Sequence, residues 1–308
     1  MSPLRVALRD YLRVRRQLGF ELKKDGRLLE DFVGFLEQAG AARISSELAL
    51  AWAKLPEDAH QHRWRQRLGM VRRFARYLAT IDPDSEVPPE DLLPARQPRV
   101  APYIYSQAEI VSLMDASRAL SPPLRAATYQ TLIGLMASSG LRLGEALGLD
   151  RQDVDLERGT LHVRAAKQHK QREVPLHHST SEALSRYSVL RDRHWPKADR
   201  QAFFISRPGL PLTAKAVHGT FPRLIRRVGL EGRGARERPR PHDLRHAFAV
   251  HTLLDWHREG VDVDRQMPLL STYLGHAHPI STYWYLQAAP ELLALVAQRL
   301  DGMLEGWS

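Results

Sequence analysis

Between Asp82 and Ala101 the chain carries Pro83, Pro88, Pro89, Pro94 and Pro98, with Arg96 and Arg99 flanking the last of them. Proline fixes φ and removes an N–H donor, so a run this dense continues neither a helix nor a sheet. It divides the 308 residues into two stretches, each long enough to bury a core of its own. The expected division is a helical unit over 1–95, a linker over 96–105 and a second unit over 106–308.

The first stretch has the period of helices. Leu4, Leu8, Tyr11 and Leu12 recur on one face, and Leu28, Leu29, Phe32, Val33 and Leu36 repeat the spacing. A third helix is expected over Ser46 to Lys54, and a fourth along Trp64, Leu68, Val71, Phe74, Ala75 and Leu78. In the fourth, Arg63, Arg67, Arg72, Arg73 and Arg76 interleave with the apolar positions. Such a row can lie along a DNA backbone or can be an ordinary solvated helix face.

The second stretch opens on Ser106 with Glu109 three residues later, the pattern of a capped helix start. Helical spacing runs through Leu113, Leu124, Ala127, Leu132 and Met136, and resumes over Ser181 to Arg191, Ala214 to Val228 and Asp243 to His257. Between these, Thr160 to Arg164 and Glu173 to Leu176 read as short strands around the polar run Ala166 to Arg172. The expected fold class is mainly α with a small antiparallel β-sheet.

Forty-five Lys and Arg stand against 35 Asp and Glu, a net charge of +10, so the chain attracts polyanions. Charge alone does not separate DNA from RNA or from an acidic surface. The excess is mostly arginine, which suits bidentate phosphate contacts. Cysteine is absent, which excludes disulfides, thiolate metal sites and a cysteine nucleophile. His242, His246, His251, His276 and His278 have no recognised ligand spacing, so neither a metal nor a cofactor is expected. No run approaches the roughly 18 apolar residues of a membrane span. The start Met1-Ser2-Pro3-Leu4-Arg5 lacks a signal-peptide core. A chain in a DNA-containing cytoplasm is expected.

Three motifs in the second stretch carry chemistry. Arg142, in Ser139-Gly140-Leu141-Arg142-Leu143-Gly144-Glu145, stands where an apolar helix ends, and Glu145 can orient its guanidinium. His242 and Arg245, in Pro241-His242-Asp243-Leu244-Arg245, share a helix face if the helix has begun by Pro241. His276, in Leu274-Gly275-His276, lies nine residues before Tyr285. A phenol has a reference pKa of about 10, so it attacks at neutral pH only beside cations and proton acceptors. Phosphoryl transfer spreads charge over equatorial oxygens, which a cage of Arg142, Arg245, His242 and His276 would meet. In the basic turn, Lys167 could protonate a leaving oxygen while Lys170 and Arg172 hold backbone phosphates. Each motif alone is also compatible with a solvated surface, and Tyr283, Trp284 and Tyr285 with an aromatic core.

Taken in order, these residues resemble the tyrosine recombinase family, also called the phage integrase family. The resemblance implies a SAM-like core-binding helical domain followed by a tyrosine-recombinase catalytic domain. It places the family's two arginines on Arg142 and Arg245, its hairpin lysine on Lys167, its two histidines on His242 and His276, and its nucleophile on Tyr285. Tyr283 is the rival nucleophile. Gln168 and His169 stand where the family's lysine turn has small residues, which leaves Lys170 as an alternative to Lys167.

The implied reaction needs neither metal nor ATP. The tyrosine joins the 3' phosphoryl end and releases a 5' hydroxyl, and a partner strand then reverses the step. The implied partners are a double-stranded DNA recombination site, four protomers acting pairwise on two duplexes, and accessory recombinases. Pro290, Leu292, Leu293, Leu295, Val296, Leu300 and Met303 suggest a C-terminal helix that docks on its own domain or on a neighbour. The run Thr282 to Leu286 followed by Ala289-Pro290-Glu291-Leu292 is similar to the ending of mobile-element members, and no arm-binding domain is evident before Leu4. Integration or transposition is therefore expected. Dimer resolution, a type IB topoisomerase and a noncatalytic DNA-binding protein are the alternatives.

Overall fold

The computed structural model describes residues 2–94, 101–164, 171–196, 201–206, 209–232, 238–276, 278 and 280–288, with only the backbone at 287 and 288. Its contacts divide the chain into two compact units, Met1–Arg99 and Val100–Ser308.

The first unit contains α1 (Pro3–Gln17), α2 (Lys23–Gln38), α3 (Ser46–Lys54) and α4 (Gln61–Leu78), where the apolar spacing placed them. The Ser2 and Ser45 hydroxyls accept from the Arg5 and Leu48 N–H groups and so cap α1 and α3. Trp52 is fully buried at the centre, its ring 5.1 Å from that of Phe32 and its indole N–H donating to Asp31 at 3.0 Å.

The arginines of α4 divide in an unexpected way. Arg67 is 6% exposed, lies 3.6 Å over the Trp52 ring and donates to the Trp52 carbonyl at 3.0 Å. Arg72 donates to the carbonyls of Pro88 and Pro89, and Arg76 pairs with Glu90 at 3.0 Å. The expectation that this whole row can face DNA is therefore corrected. Arg73 pairs with Asp25 at 3.5 Å, so four of the five arginines bind the protein itself, because a buried aromatic face, proline-rich carbonyls and nearby carboxylates offer partners that sequence spacing does not reveal.

The same bonds show that the front of the proline-rich run is not a free linker. Glu86 accepts from the Ser46 N–H at 2.7 Å and its own N–H donates to Ile44 at 2.9 Å, while Leu93 is buried in the first core. Residues 95–100 lie outside the described residues.

The second unit contains α5 (Gln107–Ser117), α6 (Pro123–Ser139), the short α7 (Leu143–Leu147), α8 (His178–His194), α9 (Ala214–Arg227), α10 (Asp243–Arg258), α11 (Val263–Leu274) and α12 (Ile280–Ala288) together with a small sheet. The Ser106 and Glu109 capping box opens α5 as the sequence predicts. Tyr103 and Tyr105, within the stretch expected to be linker, are buried in this unit's core. The antiparallel sheet runs β1 (Val154–Asp155), β2 (Thr160–Arg164) and β3 (Gln171–Pro175), with Leu161 opposite Val174 and Val163 opposite Arg172. The fold class is mainly α with a three-stranded sheet. No helix among the described residues is long and apolar enough to cross a membrane.

Trp52→Ala removes a large buried side chain and the ring over which Arg67 lies. Urea denaturation should show a loss of about 3–5 kcal/mol, with faster amide exchange in α1 to α4.

Candidate active site

Arg142 reaches its place because α6 ends on Gly140, whose φ of +61° reverses the chain. No other residue fits there, since a Cβ would meet the Phe248 ring at 2.5 Å. Arg142 is the N-cap of α7, and Glu145 in that helix's first turn accepts both the Arg142 N–H at 3.0 Å and its Nη1 at 2.7 Å. Arg142 Nη2 donates to the Gly275 carbonyl at 3.0 Å.

Arg245 lies in the first turn of α10 and is 1% exposed. Its Nη1 donates to the Gly140 carbonyl at 2.7 Å and its Nη2 to the Leu274 carbonyl at 2.6 Å. The two guanidiniums thus hold consecutive carbonyls at the end of α11, where Gly275 turns the chain with a φ of +65°. Burial first, and then the Arg142 charge, brings Arg245 down to about 10, so it stays cationic at neutral pH.

His242 is the N-cap of α10 with helical φ −66° and ψ −24°, so it shares a face with the residues one turn on. Burial, reinforced by Arg245, lowers its pKa to about 4. At neutral pH it is an uncharged imidazole with one donor and one acceptor nitrogen. Its ring meets that of His246 edge to face, with centroids 4.7 Å apart.

Tyr285 lies on α12, is 2% exposed, and its hydroxyl is 3.2 Å from His246 Nδ1. The His276 ring stacks 6.1 Å from it, and His276 Nδ1 is fixed by the Thr282 hydroxyl at 2.7 Å. Tyr283 is 41% exposed. The structure therefore gathers Arg142, His242, Arg245, His276 and Tyr285 in one place. Lys167 and Lys170 lie outside the described residues.

Three neighbours of this group have no place in the cage that the sequence suggests. His246 enters the sequence reading only among histidines without metal-ligand spacing, and Thr282 carries no signal. Arg172 was expected on DNA but turns inward. Its Nη2 and Nη1 reach the two Glu145 oxygens at 2.9 and 3.2 Å, and its Nε donates to Tyr273 at 2.8 Å. Strand alternation carries the signal, because Arg172 lies on the face of β3 that also presents the buried Val174.

Burial alone would raise the Glu145 carboxyl, but bonds from Arg172 and from the Arg142 N–H outweigh it and hold it at about 2. The His242 and Glu145 shifts are both downward. The stability linked to His242 is complete above its ordinary pKa of 6.5 and lost as pH falls toward 4; that linked to Glu145 is complete above 4.5 and lost toward 2. Thermal midpoints measured against pH should accordingly flatten between 6.5 and 4 in His242→Gln, and between 4.5 and 2 in Glu145→Gln.

Comparison with known proteins gives the family of the chain. Residues 104–291 match the model of the phage integrase family. The chain is 44% identical over 309 aligned positions, 98% of each chain, to a Sinorhizobium fredii protein named as a candidate integrase/recombinase, y4rB. It is 29% identical to tyrosine recombinase XerC of Chlamydia trachomatis over 231 positions, 74% of this chain and 67% of that one. Among solved structures, the Tn1549 transposon integrase in complex with transposon right end DNA has the same fold, with a TM-score of 0.68 and 18% identity over 98% of this chain and 100% of that one. The chain belongs to the phage integrase family and is a tyrosine-type site-specific recombinase, an enzyme that cuts and rejoins DNA.

Proposed function

We propose that Tyr285 is the nucleophile, that Arg142 and Arg245 clamp the scissile phosphate, that His242 and His276 serve its oxygens, and that Lys167 protonates the departing 5' oxygen. One observation carries the reading. The Tyr285 ring lies against His246 and His276 and interacts electrostatically with Arg245, whereas Tyr283 is largely solvent-exposed. A guanidinium has five N–H donors. The carbonyl and carboxylate bonds of Arg142 and Arg245 fix the two planes, and their other donors face a bound phosphodiester.

The Tyr285 oxygen attacks phosphorus, its proton passes to a neighbouring imidazole or solvent, and the bond to the 5' oxygen breaks. The 3' phosphoryl end is then esterified to the tyrosine, and a 5' hydroxyl takes the proton supplied by Lys167. One phosphodiester replaces another, so the step needs no external energy source. Attack by a partner strand's 5' hydroxyl reverses it.

The first unit is the core-binding domain and the second the catalytic domain. The partner is a double-stranded recombination site bound by a homotetramer on paired duplexes; the expected C-terminal helix over Pro290 to Met303 lies outside the described residues. The biological task is integration or transposition of a mobile element. Similarity to the candidate integrase/recombinase y4rB along nearly the whole chain is compatible with this. Similarity to XerC favours a second reading, chromosome or plasmid dimer resolution.

The test uses nicked duplexes tiled across the DNA flanking the gene, with covalent adducts resolved on a denaturing gel. Native protein and Tyr283→Phe should form an adduct, and Tyr285→Phe should form none. An adduct that persists in Tyr285→Phe and disappears in Tyr283→Phe would transfer the role to Tyr283. Recombination confined to element ends would favour the mobile-element task; recombination of two copies of one chromosomal or plasmid site would favour dimer resolution.

A further inference from the structure

The cluster described above holds three guanidiniums, Arg142, Arg172 and Arg245, around one carboxylate, Glu145. Arg240 and Asp243 beside it neutralise each other at 3.2 Å, and His242 is uncharged at neutral pH. Two positive charges are left over. Glu145 is needed where it is, because it closes the first turn of α7 and aims Arg142. Its negative charge, however, lies 2.7 Å from the guanidinium that is to hold a phosphate. A carboxylate bound to that arginine alone would cancel it.

We infer that Arg172 is a positioning residue for strand cleavage: by acting as the counterion of Glu145, it leaves the charge of Arg142 available to the scissile phosphate. This rests on the proposed roles of Arg142 and Tyr285.

Three observations support it independently. The Arg172 side chain is 14% exposed and the Glu145 side chain 8%, so the pair is screened little by water, whereas the Arg142 side chain is 40% exposed. Arg172 approaches both carboxylate oxygens, while the Arg142 side chain takes one. Arg172 also fixes the segment that carries His276. Its Nε holds the Tyr273 carbonyl at 2.8 Å, and its Nη1 lies 2.8 Å from where a Cβ on Gly275 would be. Glycine at 275 is thus required by the turn and by the arginine packed against it. One side chain on β3 therefore sets the electrostatics of Arg142 and the backbone next to His276.

The inference separates charge from scaffolding. Arg172→Ala should slow adduct formation on the reactive nicked duplex on the order of ten- to a hundredfold, less than removal of a group that itself donates to the reacting oxygens. DNA affinity, spread over many phosphate contacts, should be nearly unchanged. The decisive variant is Arg172→Ala combined with Glu145→Gln. It removes the uncompensated carboxylate and should recover at least half of the lost rate on a logarithmic scale. Arg172→Lys should retain more activity than Arg172→Ala.

Adduct formation by Arg172→Ala at the native rate would overturn the inference. So would a loss that Glu145→Gln leaves undiminished, since a purely structural role predicts further damage from the second change. If Arg172→Ala does not fold, as judged by its thermal midpoint, Arg172→Gln with and without Glu145→Gln gives the same contrast. If native protein forms no adduct on any duplex, the proposed function fails and this inference with it. If native protein reacts and the contrast is absent, only the inference fails.

Discussion

A cation that cannot reach water organises the second unit. Arg245 is 1% exposed, and a buried charge without partners costs several kcal/mol, roughly the whole stability of a small domain. Its partners are the Gly140 and Leu274 carbonyls, from segments 105 and 29 residues away in the chain. Meeting that demand fixes the end of α6 against the start of α10 and the end of α11. The Gly140 turn releases the carbonyl that Arg245 binds and directs the chain into Arg142. The turn after Leu274 releases a second carbonyl and directs the chain toward His276. Bringing the motifs together is thus a by-product of satisfying one guanidinium, which is why they can lie far apart in sequence and still meet.

How much of this could be read from the sequence depends on whether the governing interaction is local. The capping box at Ser106 and Glu109, the helix ending at Gly140 and the apolar stripes of α1 to α4 each involve residues within a turn or two, and all are legible. The helix α11, with Pro268 inside it, is not among the helices that the apolar spacing places. Nor is the inward turn of Arg172 legible. A basic residue in a polar hairpin invites assignment to solvent, and only its period-two relation to Val174 says otherwise. The roles of Arg67 and Arg72 depend on the Trp52 ring and on proline carbonyls at 88 and 89, contacts that no spacing rule contains.

These arginines bear on what the net charge of +10 means. Arg67, Arg72 and Arg172 are all committed to carbonyls, an aromatic face or a carboxylate within the protein. They contribute to the field that draws DNA in, but they are not arms free to grasp it. An arginine count overstates the number of phosphate contacts, and the salt dependence of binding would report the smaller number.

The same reasoning bears on why the site stays unneutralised. Holding Arg142 near buried Arg245 is unfavourable in the free protein, since each charge opposes the other, and Arg245 is already lowered to about 10 by burial and by Arg142. An additional acidic residue would relieve this and stabilise the fold. It would also remove one of the two surplus positive charges. A phosphodiester brings one negative charge, and more charge develops on its oxygens as the tyrosine attacks. The repulsion carried by the free protein is relieved most when that charge is greatest, so the arrangement favours the transition state over the bound substrate. The stability the fold forgoes at this cluster is what allows its electrostatics to act on the chemical step rather than on binding alone.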